Sequence, residues 1–142
     1  MSKVEALQFN IYKQFQREIY IFHGDIKDIF KPIPGGYVVT LADFELVIDC
    51  FDNQEARSFV QKKYKNVLHV GFSDQFTFAI EWAEHYKVPT DITTGFDICE
   101  MPGARSFVAS VAALGSLVAQ KWIDDRGKME IIGGKYSHTL VK

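Results

Sequence analysis

The chain has 142 residues and a formal net charge of -2; 47% of its residues are hydrophobic and 24% are charged. This composition is typical of a globular protein with a hydrophobic core, and it excludes a disordered chain. The near-neutral charge supplies no broad basic surface, so nucleic acid is not an expected partner.

The amino-terminal part predicts a helix followed by extended structure. Apolar residues recur at helical spacing from Val4 to Ile19, which predicts a first helix ending near Arg17. Prolines and glycines in residues 32–36 predict a turn, and residues 37–41 predict a strand leaving it.

The central part predicts a strand, a helix and a second strand. Residues 45–51 form a short apolar run, as expected of a strand covered on both faces. Asp52 or Asn53 can cap a helix that continues to about Lys65. Residues 67–72 then predict a second buried strand.

A second helix is predicted directly after this strand. Ser73 or Asp74 can cap it, and several apolar residues share one helical face; they are Phe78, Ala79, Trp82, Ala83 and Tyr86. Pro89 lies just beyond its expected end.

A third strand, a long helix and a strand-like tail complete the pattern. Residues 96–99 predict the strand, and the helix is expected from about Gly103 to Trp122. Residues 129–141 predict a strand or hairpin. The order β-α-β-α-β-loop-α predicts an α/β fold with a central, mainly parallel sheet and helices on both faces, in one domain spanning residues 1–142.

The two cysteines, Cys50 and Cys99, are too few for a disulfide framework. They also predict no zinc site, because they do not form a CxxC motif and no histidine lies at a ligand-like spacing from either of them. The longest apolar stretch, residues 107–119, is too short to span a bilayer, and the first ten residues lack the apolar core of a secretory signal. We therefore expect a cytoplasmic protein without metal, cofactor or membrane association.

The loop after the third strand carries the strongest chemical signal. Cys99 ends that strand, and the unpaired amides and dipole at the start of the following helix would favour a thiolate or a phosphate. Arg105 could hold two phosphoryl oxygens with its planar guanidinium, and Ser106 could hydrogen-bond the sulfur.

The spacing Cys-x5-Arg-Ser resembles the Cys-based phosphatases, the tyrosine and dual-specificity protein phosphatases and their relatives, over a core of about residues 45–122. The resemblance implies that Cys99 is the nucleophile, Arg105 the phosphate clamp and Ser106 the hydroxyl that assists the thiolate. It also implies that Asp74, after the second strand, is the general acid. The implied phosphate-binding loop consists of Glu100, Met101, Gly103, Ala104 and Arg105.

The activity implied by this resemblance is hydrolysis of a phosphate monoester through a cysteinyl-phosphate intermediate. The implied substrate is a phosphorylated protein or a small phosphate ester, and no cofactor is required. In several relatives a second cysteine protects the oxidised nucleophile as a disulfide, and Cys50 occupies a comparable place. An ordinary buried cysteine is the simpler interpretation of Cys50.

Three departures from the family pattern leave alternatives open. Ile98 precedes the cysteine where most protein phosphatases carry histidine, Gly103 comes one place late, and Pro102 has no N–H to donate. A non-catalytic phosphate-reading pseudophosphatase and a protein-interaction or inhibitor module are therefore alternatives. A rhodanese-like sulfurtransferase is another, because Gly103-x-Arg105-Ser106 also resembles its active loop.

Other titratable residues suggest less specific interpretations. Asp43, Glu45 and Asp49 alternate along one predicted strand and raise the possibility of a metal-dependent nuclease, although solvated strand residues are the simpler interpretation. His69 and His85 are expected to be packing or surface histidines.

Overall fold

The computed structural model describes residues 1–28, 44–73, 75–91 and 100–141, and the chain divides into two compact units, Met1–Leu41 and Ala42–Lys142. The first unit contains helix α1 (Lys3–Phe15) and a short 3-10 turn at Ile26–Asp28. The expected turn and strand in residues 32–41, and the expected third strand in residues 96–99, lie outside the described residues. The expectation of one domain stays a prediction.

Helix α1 confirms the first predicted helix, which ends two residues earlier than expected. Its start is a capping box: the Ser2 side chain accepts a hydrogen bond from Glu5 N, and the Glu5 carboxylate accepts one from Ser2 N. The helix ends where Gln16 adopts the left-handed conformation, with φ of 52°.

The second unit begins with a β-α-β unit that the sequence predicts correctly. Strand β1 (Val47–Asp49) leads through helix α2 (Gln54–Lys63) to strand β2 (Val67–Phe72), and the two strands pair in parallel. Asn53 caps α2, since its side chain accepts a hydrogen bond from Ala56 N at 2.8 Å.

The helix predicted after β2 is wrong, because residues Thr77–Trp82 form strand β3. Ser73 N donates to Thr77 O at 2.8 Å, so the chain reverses in a tight turn and β3 pairs antiparallel with β2. The apolar residues that suggested a helical face also alternate: Phe78, Ile80 and Trp82 are buried, while the residues between them are more exposed. In a strand, alternate side chains point to the same face, so all three of these large side chains are buried on one face of the sheet. This burial favours a strand over a helix at these residues.

The chain continues with helix α3 (Ala104–Asp125) and a hairpin of strands β4 (Glu130–Gly134) and β5 (Ser137–Val141). The hairpin confirms the expectation for the tail. In the part of the chain that the structure describes, the sheet has five strands in the order β1-β2-β3-β4-β5, and only β1 and β2 are parallel. The prediction of a mainly parallel sheet is thus wrong, because the β2–β3 and β4–β5 connections are hairpins rather than helical crossovers.

Helix α3 covers one face of the sheet, and α2 lies on the other. Leu68 joins the core cluster formed with α3, whereas His69, the next residue along β2, faces Tyr86 and the α2 side. The core contains large side chains from the sheet and the inner face of α3, among them Leu68, Ile80, Trp82, Phe107, Val118, Trp122 and Ile131.

Helix α3 is also long and apolar enough to cross a membrane by length and composition, with a mean hydropathy of 1.3 in its most apolar window. That is weak evidence, because a core helix passes the same test and the inner face of α3 packs on the sheet.

The orientation of α3 can be tested with two identical truncations. Leu68 is fully buried under α3, whereas Leu117 on the helix itself is 56% exposed. We expect Leu68→Ala to lower the free energy of unfolding by about 2–5 kcal/mol, since it leaves a cavity. Leu117→Ala should leave it nearly unchanged. Chemical denaturation followed by the fluorescence of Trp82 and Trp122 measures both, and equal losses would contradict this orientation.

Candidate functional site

The loop before α3 ends in a conformation that suits glycine. Gly103 has φ of 79°, in the left-handed region, and no side chain caps the first turn of the helix. Ala104 is buried, and its N–H donates to Met101 O at 3.1 Å. The Ala104 amide, expected to bind phosphate, is therefore occupied within the loop. The half-buried Met101 contributes its carbonyl to that bond.

Two cationic side chains lie near this uncapped helix start. Arg105 is exposed in the first turn of α3, which contains no acidic residue. Lys135, in the β4–β5 turn, packs so closely on Gly103 that a Cβ there would lie 3.0 Å from its Nζ. Cations are unfavourable at the positive end of a helix dipole. A bound anion would relieve this repulsion.

The remaining loop residues are accessible to solvent. Ser106 is exposed, and its carbonyl accepts a hydrogen bond from Ser110 Oγ at 2.9 Å. Glu100 is also exposed and, among the described residues, forms no ion pair with Arg105 or Lys135. Neither cation is thus neutralised by the loop's own carboxylate.

Cys99 and Asp74, the expected nucleophile and general acid, lie outside the described residues. The turn residues next to position 74 do contact the start of α3: the Phe76 ring lies 5.2 Å from the Phe107 ring, in an edge-on arrangement. Lys135 Nζ lies 4.6 Å from the centre of the same Phe76 ring. The β2–β3 turn, the β4–β5 turn and the α3 start therefore meet at one edge of the sheet.

Cys50, the expected redox partner, lies just beyond the end of β1 and is exposed, so the interpretation of Cys50 as an ordinary buried cysteine is wrong. Partial burial of the thiol and the neighbouring Asp49 carboxylate raise its pKa, against a smaller lowering by Arg57. The Cys50 thiol is thus protonated at neutral pH, and a protonated thiol is a poor nucleophile for disulfide exchange.

A second polar cluster lies at the end of β1 and at the neighbouring position inside β2. Asp49 and His69 are opposite one another in the parallel register, and both are fully buried. Asp49 Oδ2 lies 2.5 Å from His69 Nδ1, and Asp49 Oδ1 accepts a hydrogen bond from Phe51 N at 2.8 Å. Because a carboxylate accepts, His69 Nδ1 carries the proton in this pair.

Arg57 and Tyr86 complete this cluster from outside the sheet. Arg57 Nη1 donates to Tyr86 Oη at 2.6 Å and lies 3.7 Å from Asp49 Oδ2. The Tyr86 ring stacks on His69, with ring centres 4.1 Å apart. A Cβ at Gly71 would lie 3.2 Å from Tyr86 Oη, so the absent side chain lets Tyr86 and Arg57 approach the strand.

The buried atom His69 Nε2 has no hydrogen-bond partner among the residues that the structure describes. Glu81 lies opposite His69 on β3. Burial and the nearby Glu130 raise the Glu81 pKa, while His85 and His69 partly oppose this shift.

Within the described residues no three His, Cys, Asp or Glu side chains could hold a metal ion. Asp49 and His69 are shielded from solvent, so their role in this structure is to hold β1 and β2 to α2.

Sequence reasoning missed this cluster in part. The interpretation of Asp49 as a solvated strand residue is wrong, because the carboxylate is fully buried, while the packing role of His69 is confirmed. The available signal was an aspartate inside an apolar strand and a histidine at the matching place in the next strand. Asp43 lies outside the described residues, and Glu45 pairs with Arg126 on the surface.

No protein family, curated protein or solved structure matches this chain. The resemblance to Cys-based phosphatases therefore stays a prediction from the sequence pattern alone.

Removal of the central carboxylate should test the buried cluster. Asp49→Ala leaves Arg57 and His69 without their anionic partner, and we expect the free energy of unfolding to fall by about 3–5 kcal/mol. The matched control is Asp52→Ala, because Asp52 is exposed. Equal, small effects of both substitutions in chemical denaturation would contradict the proposed importance of Asp49.

Glu81 provides a pH-dependent prediction. Its raised pKa means that the folded state binds this proton more tightly than the unfolded state, whose reference pKa is 4.5. The favourable contribution is complete below that pKa and is lost as pH rises through the folded-state pKa. We therefore expect Glu81→Gln to gain stability relative to the unaltered chain as pH rises from about 4 to about 7. A constant difference in unfolding free energy over this interval would contradict the shift.

Proposed function

We propose that this protein binds a phosphate monoester at the start of α3, with Arg105 and Lys135 supplying the positive charge. The observation that carries the proposal is the presence of both cations at an uncapped helix N-terminus without an acidic residue in its first turn. The helix dipole and the cations repel one another unless an anion lies between them.

The chemistry of these groups favours a phosphate over a carboxylate. The Arg105 guanidinium can donate two parallel hydrogen bonds to phosphoryl oxygens, and the Lys135 ammonium adds a point charge. The Ser106 hydroxyl is exposed in the same turn and can donate a third bond. A phosphate dianion gains from all three groups, whereas a carboxylate has fewer oxygens and half the charge.

Hydrolysis of the bound ester is a second candidate, favoured by the six-residue step from Cys99 to Arg105. In this reaction the Cys99 thiolate attacks phosphorus and the leaving oxygen takes a proton from an acid, with Asp74 as the proposed donor. Water then cleaves the cysteinyl phosphate and restores the thiolate. The contact of Phe76 with Phe107 supports this role for Asp74, since Asp74 comes two positions before Phe76 in the sequence.

Binding can be measured by titrating the chain with phosphotyrosine and, separately, with tyrosine. We expect phosphotyrosine alone to bind, and Arg105→Ala or Lys135→Ala to weaken it about tenfold or more, since each removes a charge-assisted hydrogen bond. Lys121→Ala is the matched control, because Lys121 pairs with Asp125 at the opposite end of α3. Equal weakening by all three substitutions, or no phosphotyrosine binding, would contradict the site.

Catalysis is measured separately as release of phosphate from an aryl phosphate. We expect turnover by the unaltered chain and complete loss in Cys99→Ser, while that variant still binds phosphotyrosine. Binding without turnover by the unaltered chain would reject hydrolysis and retain the phosphate-reading function.

A further inference from the structure

A groove in the first unit lies between α1 and the segment that follows it. One face of α1 supplies Glu5, Gln8, Phe9 and Tyr12, and residues 18–20 form the opposite wall. Gln8 Nε2 donates to Ile19 O at 2.7 Å and so holds the two walls together. The groove has a volume of about 560 Å³ and is open to solvent.

The charged side chains that line this groove are Glu5 and Glu18, both acidic. Hydrogen bonds from the Ser2 backbone and side chain lower the pKa of Glu5, so this carboxylate is ionised at neutral pH. Within the described residues, Glu18 has no hydrogen bond or ion pair. The groove is therefore complementary to positive charge.

Aromatic side chains form the rest of the groove surface. Phe9 is 58% exposed and Tyr12 is 49% exposed, while Tyr20 extends fully into solvent. The faces of such rings attract cations, most strongly the planar guanidinium of arginine. A site that encloses a small ammonium ion has buried aromatic rings. The rings of Phe9, Tyr12 and Tyr20 are exposed, which favours a cationic side chain carried by a longer, extended ligand.

Helix α1 also has the properties of a surface that a protein partner covers. None of its 13 residues is buried, and Leu7 and Phe15 are exposed as well. A helix of this length is marginal in water without apolar contacts. In the groove, the methylene groups of an arginine side chain would supply such contacts to Phe9 and Tyr12.

We propose that the groove between α1 and residues 18–20 binds a basic peptide segment of another protein, with an arginine side chain between the aromatic rings and the carboxylates of Glu5 and Glu18. This peptide site involves none of the residues at the start of α3 and is independent of phosphate binding. Recognition combines cation–π contact with charge-assisted hydrogen bonds to the carboxylates.

The test is an NMR titration of the full chain, labelled with ¹⁵N, with an acetylated and amidated Gly-Arg-Gly-Arg-Gly peptide. We expect shifts confined to amides of residues 5–12 and 18–20. Replacing both arginines of the peptide by glutamine should abolish them. This peptide change leaves the protein unaltered, so the result does not depend on whether a variant folds.

Protein variants then identify the groups that bind. We expect Glu18→Gln and Tyr12→Leu each to weaken peptide binding about threefold or more, in line with one lost contact at an exposed site. Asp52→Asn and Phe44→Leu are matched controls on exposed residues of the second unit, and they should not change the affinity.

Three outcomes would overturn the proposal. The first is the absence of chemical-shift changes up to about 10 mM peptide, because a dissociation constant above that concentration is too weak to be useful. The second is equal binding of the glutamine peptide. The third is equal binding of tetramethylammonium chloride, which would indicate a site for small cations.

Discussion

The buried carboxylate of Asp49 is the interaction on which the second unit depends. It is bound by His69 on the neighbouring strand and by the backbone of Phe51, with Arg57 of α2 close by. One aspartate thereby joins both parallel strands to the helix between them. Such a group is costly to bury, and the loss of any one of its partners should destabilise the β-α-β unit.

The second strand of this unit, β2, runs toward the end of the sheet where the proposed phosphate site lies. β2 turns sharply into β3, and the turn brings Phe76 against Phe107 in the first part of α3. Lys135 reaches the same place from the β4–β5 turn and packs on Gly103. The positive charge at the start of α3 is thus assembled from separate parts of the chain. The left-handed Gly103 allows the close approach of Lys135, since a side chain there would meet its ammonium group.

Much of the local structure could be predicted from the sequence, because it follows from short-range patterns. Asn53 caps α2 as expected, and the apolar run at 67–72 is a strand with the predicted bounds. The error at residues 77–82 arose because Phe78 and Trp82 satisfy both a helical and an alternating pattern. The tight turn closed by Ser73 and Thr77 selects the strand, and nothing in the local pattern of apolar residues reveals that turn.

Prediction of the phosphate site and of the Asp49 cluster from the sequence has the same limit. Arg105 and Ser106 could be placed at the start of a helix from sequence alone, since the strand-loop-helix pattern predicts it. Lys135 could not, because it is 30 residues away in the chain and reaches Gly103 only through the β4–β5 hairpin. The burial of Asp49 was likewise hidden, because it depends on a histidine in the paired strand and an arginine from the helix above.

A crystal structure of the chain grown with tungstate, a heavy analogue of phosphate, would show whether an anion binds at the start of α3. We expect one strong peak there, within hydrogen-bond distance of the Arg105 guanidinium and the Lys135 ammonium. An unoccupied α3 start, with tungstate bound only elsewhere on the surface, would contradict it.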